Sequence, residues 1–233
     1  MKFIKIEDCY KTYKNGVTAT AGLNLEIDKG EFVFIIGATG CGKSTLIKML
    51  YREEKPTKGK VIVGGIDVAK LRNSKVYKLR RKLGIVFQDF KLLPKLNVYD
   101  NVAYPLTSMG LKNKEIKPRV IKALDLVGLK EKMRSYPNEL SAGMQQRVCI
   151  ARAMVNGPKL LICDEPTGNL DPETSKEIME VLNQINQELG TTIVMVTHDK
   201  DIVNRMKKRV ILLDNGVLAS DEMKGKYKVN ESV

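Results

Sequence analysis

Hydrophobic and polar positions alternate over "FIKIEDCYKTY" (residues 3–13) and again over "GLNLEI" (residues 22–27), with an Asn15-Gly16 turn signal between them. A period of two predicts strands with one buried face. After Lys29-Gly30 the pattern changes to an unbroken apolar run, "EFVFIIG", which suits a strand buried on both faces. "KLGIVFQD", "KLLICDEP", "TTIVMVTHD" and "RVILLDNGVLASD" predict further strands, and "GKVIVGGIDV" a hairpin-like pair. "STLIKMLYREE" predicts a helix that ends before Pro56, and the amphipathic "ETSKEIMEVLNQINQEL" predicts a second.

Between the "VFQD" strand and the "LLICDE" strand the pattern is mostly helical, broken by Pro94, Pro105, Pro118 and Pro137. Strands alternating with helices imply an α/β fold with a parallel sheet covered on both faces. The 233 residues therefore form a single domain, 1–233, with a helical segment, 92–153, inserted into the sheet domain. The polar "DEMKGKYKVNESV", residues 221–233, is expected to be a loosely ordered tail.

Composition changes this picture in two ways. The formal net charge is +13, which suits an acidic neighbour: nucleic acid, an anionic membrane surface or a phosphorylated ligand. Cys9, Cys41, Cys149 and Cys163 form no CxxC pair and lie far in sequence from the lone His198, so neither a zinc site nor a disulfide framework is expected, and a reducing cytoplasm is. The first residues lack the apolar core of a signal peptide, and no apolar run approaches the roughly 18 residues that span a bilayer. Work at a membrane would need another chain to supply the span.

The chemistry starts at "GATGCGKS", Gly37 to Ser44, a full G-x-x-x-x-G-K-[ST] match between a buried strand and a helix. Gly37, Ala38, Thr39, Gly40, Cys41, Gly42, Lys43, Ser44 and Thr45 form the candidate phosphate cradle. Lys43 is placed to bridge the β- and γ-phosphates of a nucleotide, and the Ser44 hydroxyl to ligate Mg²⁺. "LLICDEP" delivers two acids to one strand end: Asp164 for the Mg²⁺ shell, and Glu165 to polarise a water attacking the γ-phosphate. His198 and Gln88 stand at two further strand ends. The imidazole can reach the γ-phosphate, and the Gln88 amide oxygen the metal or the water. Tyr13, beside a turn, is a candidate to stack on adenine, whereas Tyr10 reads as a core residue. A second anion-seeking turn, "LSAGMQQR" at Leu140 to Arg147, places Ser141, Ala142 and Gly143 at a helix start.

These motifs in this order resemble the ATP-binding-cassette ATPases, and the resemblance spans almost the whole chain. It implies a P-loop NTPase fold with a RecA-like parallel-sheet core, an N-terminal antiparallel β subdomain and the inserted α-helical subdomain. It implies ATP and Mg²⁺ as ligands. It also implies a head-to-tail homodimer in the ATP-bound state, in which Ser141, Ala142 and Gly143 of one copy meet the γ-phosphate held by the other. The phrases "YREEKPTKG", "LRRKLGIVFQDFKLLP", "VYDNVAYPL" and "DEPTGNLDPETS" resemble the bacterial cell-division branch of that family. That branch implies a peripheral position on the cytoplasmic face of the cell membrane and an integral partner of the FtsX type that controls cell-wall hydrolysis. Lipoprotein-release and macrolide-export cassettes are similar alternatives.

A soluble DNA- or ribosome-acting cassette would suit the basic charge. However, the chain carries neither the coiled coils and zinc modules of the DNA-acting relatives nor the second cassette of the ribosomal ones. "KLRRK" (78–82) and "RMKKR" (205–209) then suit an anionic inner membrane surface, with no nucleic acid expected. Two departures lie in the signature turn: Ala142 replaces a usual glycine and Met144 a usual Glu or Gln. Met144 is expected to offer the opposite subunit an apolar contact in place of a polar one.

Overall fold

A computed structural model describes residues 1–228; residues 229–233 of the expected tail lie outside the described residues. The chain runs β1 (Lys2–Thr12), β2 (Thr18–Asp28), β3 (Phe32–Ile36), α1 (Lys43–Leu50), β4 (Lys58–Val63), β5 (Ile66–Asp67), α2 (Val76–Arg80) and β6 (Leu83–Val86). It continues through α3 (Val98–Ser108), α4 (Asn113–Leu126), α5 (Ala142–Met154), β7 (Leu160–Asp164), α6 (Pro172–Leu189), β8 (Thr192–Val196), α7 (Lys200–Met206), β9 (Arg209–Asp214) and β10 (Val217–Glu222).

Two sheets result. An antiparallel sheet has the order β2-β1-β4-β5, and a larger sheet the order β10-β9-β3-β8-β7-β6. In the larger sheet β9, β3, β8, β7 and β6 are parallel and only β10 is antiparallel, on the edge.

The apolar runs divide by strand parity, as a sheet buried on both faces requires. Phe32, Phe34, Ile36, Leu161, Cys163, Ile193 and Met195 face one core, shared with α3 to α7. Val33, Ile35, Leu160, Ile162, Val194, Val196 and Ile211 face the other, shared with α1 and the antiparallel sheet. Each fully buried large side chain contributes about 1.5–3 kcal/mol, so this double-faced sheet is the rigid body on which the loops at its edge are mounted.

Three expectations need correction. The first helix stops at Leu50, not at Glu54, because Arg52 takes a left-handed backbone (φ 61°). Its guanidinium is buried and donates to the Val68 carbonyl at 3.0 Å and to Asn73 Oδ1 at 3.1 Å. Long-range contact thus overrides local helix preference. Pro105 and Pro118 lie inside α3 and α4 instead of ending them. An interior proline costs about 3 kcal/mol, and burial of Val98, Val102 and Leu106 on α3 and of Ile116, Val120 and Leu124 on α4 offsets it. The described part of the expected loose tail is tied down: residues 221–222 complete β10, the Gly225 N–H donates to the Lys208 carbonyl at 3.2 Å, and the Tyr227 N–H to Asn204 Oδ1 at 3.0 Å.

Candidate active site

The register of the parallel strands brings four loops to one edge. Ile35 pairs with Val196, Val196 with Asp164, and Cys163 with Val86. The carboxyl ends of β3, β8, β7 and β6 therefore stand level, and the segments leaving them carry the glycine loop, His198, Glu165 and Gln88. This is the edge at which open α/β sheets bind ligands.

Space dictates the glycine loop. A Cβ on Gly37 would lie 2.2 Å from the Leu213 carbonyl oxygen. One on Gly42 would lie 2.2 Å from the Ala19 carbonyl oxygen, and Gly42 also has φ 104°, which side chains rarely adopt. Helix α1 starts directly after it with no side-chain cap, so the amides of Lys43, Ser44 and Thr45 have no partner within the helix and, with the helix dipole, favour an anion. The Lys43 ammonium curls back over the loop, donating to the carbonyls of Gly37 at 2.7 Å and Ala38 at 2.8 Å. Ala38, Thr39, Gly40 and Ser44 are exposed along the rim, while Cys41 and Thr45 are buried. Tyr13 stands beside the loop: its hydroxyl is 3.0 Å from Thr45 Oγ1, and the Lys11 ammonium lies 4.9 Å from its ring centroid.

Asp164 ends β7 and Glu165 follows with φ 51°. A left-handed backbone costs a non-glycine residue about 1–2 kcal/mol. The Glu165 amide is bonded to the Val196 carbonyl at 3.0 Å and its carboxylate to His198 Nδ1 at 2.5 Å. Glu165 is largely buried (19% exposed) and His198 open (68%), so the imidazole covers the carboxylate from the solvent side.

Burial, and then the neighbouring Glu165 charge, push the Asp164 carboxyl above the usual carboxylate range; Lys48, Lys91 and Lys43 pull the other way. A raised folded-state value means that the folded protein binds this proton more tightly than the unfolded chain. Stability therefore falls as pH rises from the ordinary aspartate value through the raised one, and at neutral pH the charged Asp164 is a net cost. Asp164→Asn is expected to raise the melting temperature of the nucleotide-free protein at pH 7, measured without metal, while removing metal-dependent turnover. A lower melting temperature would contradict the electrostatic reading.

Gln88 is exposed and lies two residues beyond β6, not at its end. Its carbonyl accepts from Asn169 Nδ2 at 3.1 Å, and a Cβ on Gly168 would lie 2.9 Å from its side-chain nitrogen. The loop after the two acids thus holds Gln88.

The second turn is separate from this cluster. Among the described residues no hydrogen bond or ion pair joins residues 140–144 to residues 37–45. Ser141 caps α5, accepting from the Met144 amide at 3.3 Å, and Ser141 and Ala142 are exposed. Ala142 has a helical backbone with negative φ, so its methyl group adds no strain. Gly143 is the position that requires glycine, because a Cβ there would lie 2.3 Å from Thr174 Cγ2 on α6. Met144 is partly buried and packs against its own subunit's core, so only part of its side chain is open to an opposite subunit.

Sequence reasoning leaves Gln146 without a role, yet it is fully buried and its Nε2 donates to the Pro166 carbonyl at 2.6 Å, joining α5 to the loop after Glu165. Asp171 caps α6 through the amides of Glu173 and Thr174. An Asp before Pro172 at a helix start was the available signal.

The donor set fits a triphosphate with a hard cation. Unpartnered amides and an ammonium line the loop, a hydroxyl (Ser44) and a carboxyl of raised affinity for protons (Asp164) stand at the same edge, and no group of three or more His, Cys, Asp or Glu side chains among the described residues forms a metal cage. Mg²⁺ keeps few protein ligands and takes the rest from phosphate and water. A groove of about 710 Å³ between α4 and the Asn156–Lys159 turn lies at the opposite, amino-terminal end of β7 and shares no residue with this cluster.

Comparison with known proteins agrees with the geometry. The family described as "ABC transporter" matches residues 20–168. The cell division ATP-binding protein FtsE of Bacillus subtilis is 54% identical over 224 residues, covering 96% of this chain and 98% of that protein. The methionine import ATP-binding protein MetN of Carboxydothermus hydrogenoformans is 46% identical over 203 residues, 87% of this chain but 60% of its own length. Among solved structures, a dimeric post-hydrolysis state of the ATP-binding cassette MJ0796 with ADP and phosphate superimposes with a TM-score of 0.85, at 37% identity, over 96% of this chain and 100% of that one. The chain belongs to the ABC transporter ATP-binding family and is an ATP-binding, ATP-hydrolysing cassette.

Proposed function

We propose that this cassette is the ATPase of an FtsE-type complex, seated on the cytoplasmic face of the cell membrane. There it couples ATP-driven dimerisation to an FtsX-type integral partner that controls cell-wall hydrolysis in division. The observation that carries this reading is near-complete coverage in both directions against FtsE proteins, whereas the import cassettes extend well beyond the matched region. Among the described residues no helix is long and apolar enough to cross a membrane, so the partner supplies the span. The basic segments 78–82 and 205–209 suit the anionic inner surface.

At the site, Gly37 to Thr45 hold the phosphates and the free face of Tyr13 receives the adenine. Ser44, Asp164 and Gln88 are the residues that would hold Mg²⁺, which lowers the charge on the β- and γ-phosphates. Glu165 uses the carboxylate oxygen not engaged by His198 to take a proton from the attacking water as the water oxygen bonds to the γ-phosphorus and the bond to ADP breaks. His198 orients that carboxylate and contacts the γ-phosphate. Ser141 of the partner subunit, with the amides of Ala142 and Gly143 beside it, closes over the same phosphate, which explains why one chain carries two anion-seeking turns that do not meet.

Affinity purification of the tagged Glu165→Gln chain from its own membranes tests the assignment. Recovery of an FtsX-type integral protein supports it. Recovery of an import, lipoprotein-release or macrolide-export permease contradicts it.

A further inference from the structure

The segment carrying Gln88 is strained in a way that its own sequence does not relieve. Phe90 (φ 56°) and Lys91 (φ 49°) are adjacent non-glycine residues with left-handed backbones. The Lys91 amide also donates to the Asp89 carbonyl at 2.5 Å, closing a three-residue turn about Phe90 of the rare, positive-φ kind. Such a turn persists only where its surroundings impose it.

Helix α5 imposes it here. The Phe90 carbonyl accepts from the Cys149 thiol at 2.9 Å and from Arg152 Nη2 at 2.9 Å, and the Lys91 carbonyl accepts from Arg152 Nη1 at 2.7 Å. One guanidinium thus bridges two consecutive carbonyls. Burial pushes the Cys149 thiol up to about 12, so it stays protonated and able to donate. On the other side of the turn Asn169 holds the Gln88 carbonyl. The helix that makes this clamp is the one that Ser141 caps.

We propose that Arg152 is a positioning residue for hydrolysis. It pins the 89–91 turn in its strained form and so sets where the Gln88 amide stands relative to Asp164. Because Arg152 and Ser141 belong to one helix and its cap, a displacement of the signature turn moves the clamp with it. The inference rests on the proposed role of Gln88 at the reacting phosphate.

Single-turnover hydrolysis of ATP by the full chain, with nucleotide affinity and melting temperature measured alongside, tests it in Gln88→Ala, Arg152→Ala, Arg152→Lys, Phe90→Gly and the Arg152→Ala/Phe90→Gly pair. Arg152→Ala is expected to slow turnover by about ten- to a hundredfold with unchanged affinity for ATP, since small misplacements of a reacting group cost that much. Arg152→Lys should recover only part, because an ammonium cannot reproduce the fork. Phe90→Gly relieves the strain at Phe90 and leaves that at Lys91, so adding Arg152→Ala to it should cost less than in the parent.

Multiplying effects in the pair, or a loss of turnover that only tracks the melting temperature, would overturn the proposal and leave Arg152 as a packing residue. Wild-type turnover in Gln88→Ala would instead remove the role given to Gln88 itself. If Arg152→Ala does not fold, Arg152→Lys and its pair with Phe90→Gly give the same comparison.

Discussion

Glu165→Gln is expected to stop ATP turnover while leaving ATP binding intact. The amide has nearly the shape of the carboxylate, so the left-handed backbone at this position and the amide bond to Val196 survive. What is lost is the base of the proposed mechanism. A positioned general base contributes about 10²–10⁴-fold, so single-turnover hydrolysis should fall by at least two orders of magnitude. The Glu165–His198 contact also loses its charge and is weakened, although the glutamine oxygen can still accept from Nδ1. With hydrolysis blocked, the ATP-bound dimer should accumulate, visible as an ATP-dependent shift in gel filtration. Turnover within a fewfold of wild type would take the base role from Glu165.

Lys43→Ala carries the second large effect, on binding. In the free protein the ammonium is satisfied by two loop carbonyls, at 2.7 and 2.8 Å. A bound triphosphate draws it onto the β- and γ-oxygens, exchanging neutral acceptors for charged ones. Hydrogen bonds to charged groups are worth about 1.5–3 kcal/mol each. The bonds to the carbonyls are of that kind too, since the ammonium is charged, so the gain is the added pull of anionic over neutral acceptors; about 1.4 kcal/mol at each of two contacts would give roughly two orders of magnitude in Kd. Titration with a fluorescent ATP analogue reads this directly. The melting temperature should change little, since the Lys43 head group holds only its own loop. Near-native affinity would show that the glycine loop does not carry the phosphates.

The features legible in the sequence were those written contiguously. A strand buried on both faces is an unbroken apolar run wherever it pairs, so β3, β7 and β8 could be located without knowing their neighbours. The glycine loop is a contiguous motif between a strand and a helix, so it could be located in the sequence, although the carbonyls of Leu213 and Ala19 that require Gly37 and Gly42 are distant. The features that escaped are set by contacts between distant segments. The early end of α1 depends on Arg52 reaching Val68 and Asn73, and the survival of α3 through Pro105 depends on what that helix buries. The clamp from Arg152 to Phe90 spans 62 positions, and Gln146 reaches across 20 to Pro166. That Met144 packs partly against its own core was not legible either, because the residues it packs on lie far from it in sequence. The turn was legible as a helix start, whereas the reason for its glycine, Gly143, was not, because that reason is a methyl group on Thr174 of another helix.

In the proposed dimer one copy's Ser141 turn completes the other copy's phosphate site. Sedimentation of the Glu165→Gln protein, with and without Ser141→Arg, tests it most directly. Ser141 is exposed at the start of α5, and among the described residues its side chain makes only the cap bond, so the change should cost about 1 kcal/mol of stability and leave the monomer's own glycine loop in place. Glu165→Gln alone should form an ATP-dependent dimer. With Ser141→Arg added it should stay a monomer at every ATP concentration, and the monomer should bind fluorescent nucleotide as tightly as before. An ATP-dependent dimer that persists with Ser141→Arg, at an unchanged dissociation constant, would contradict the composite site.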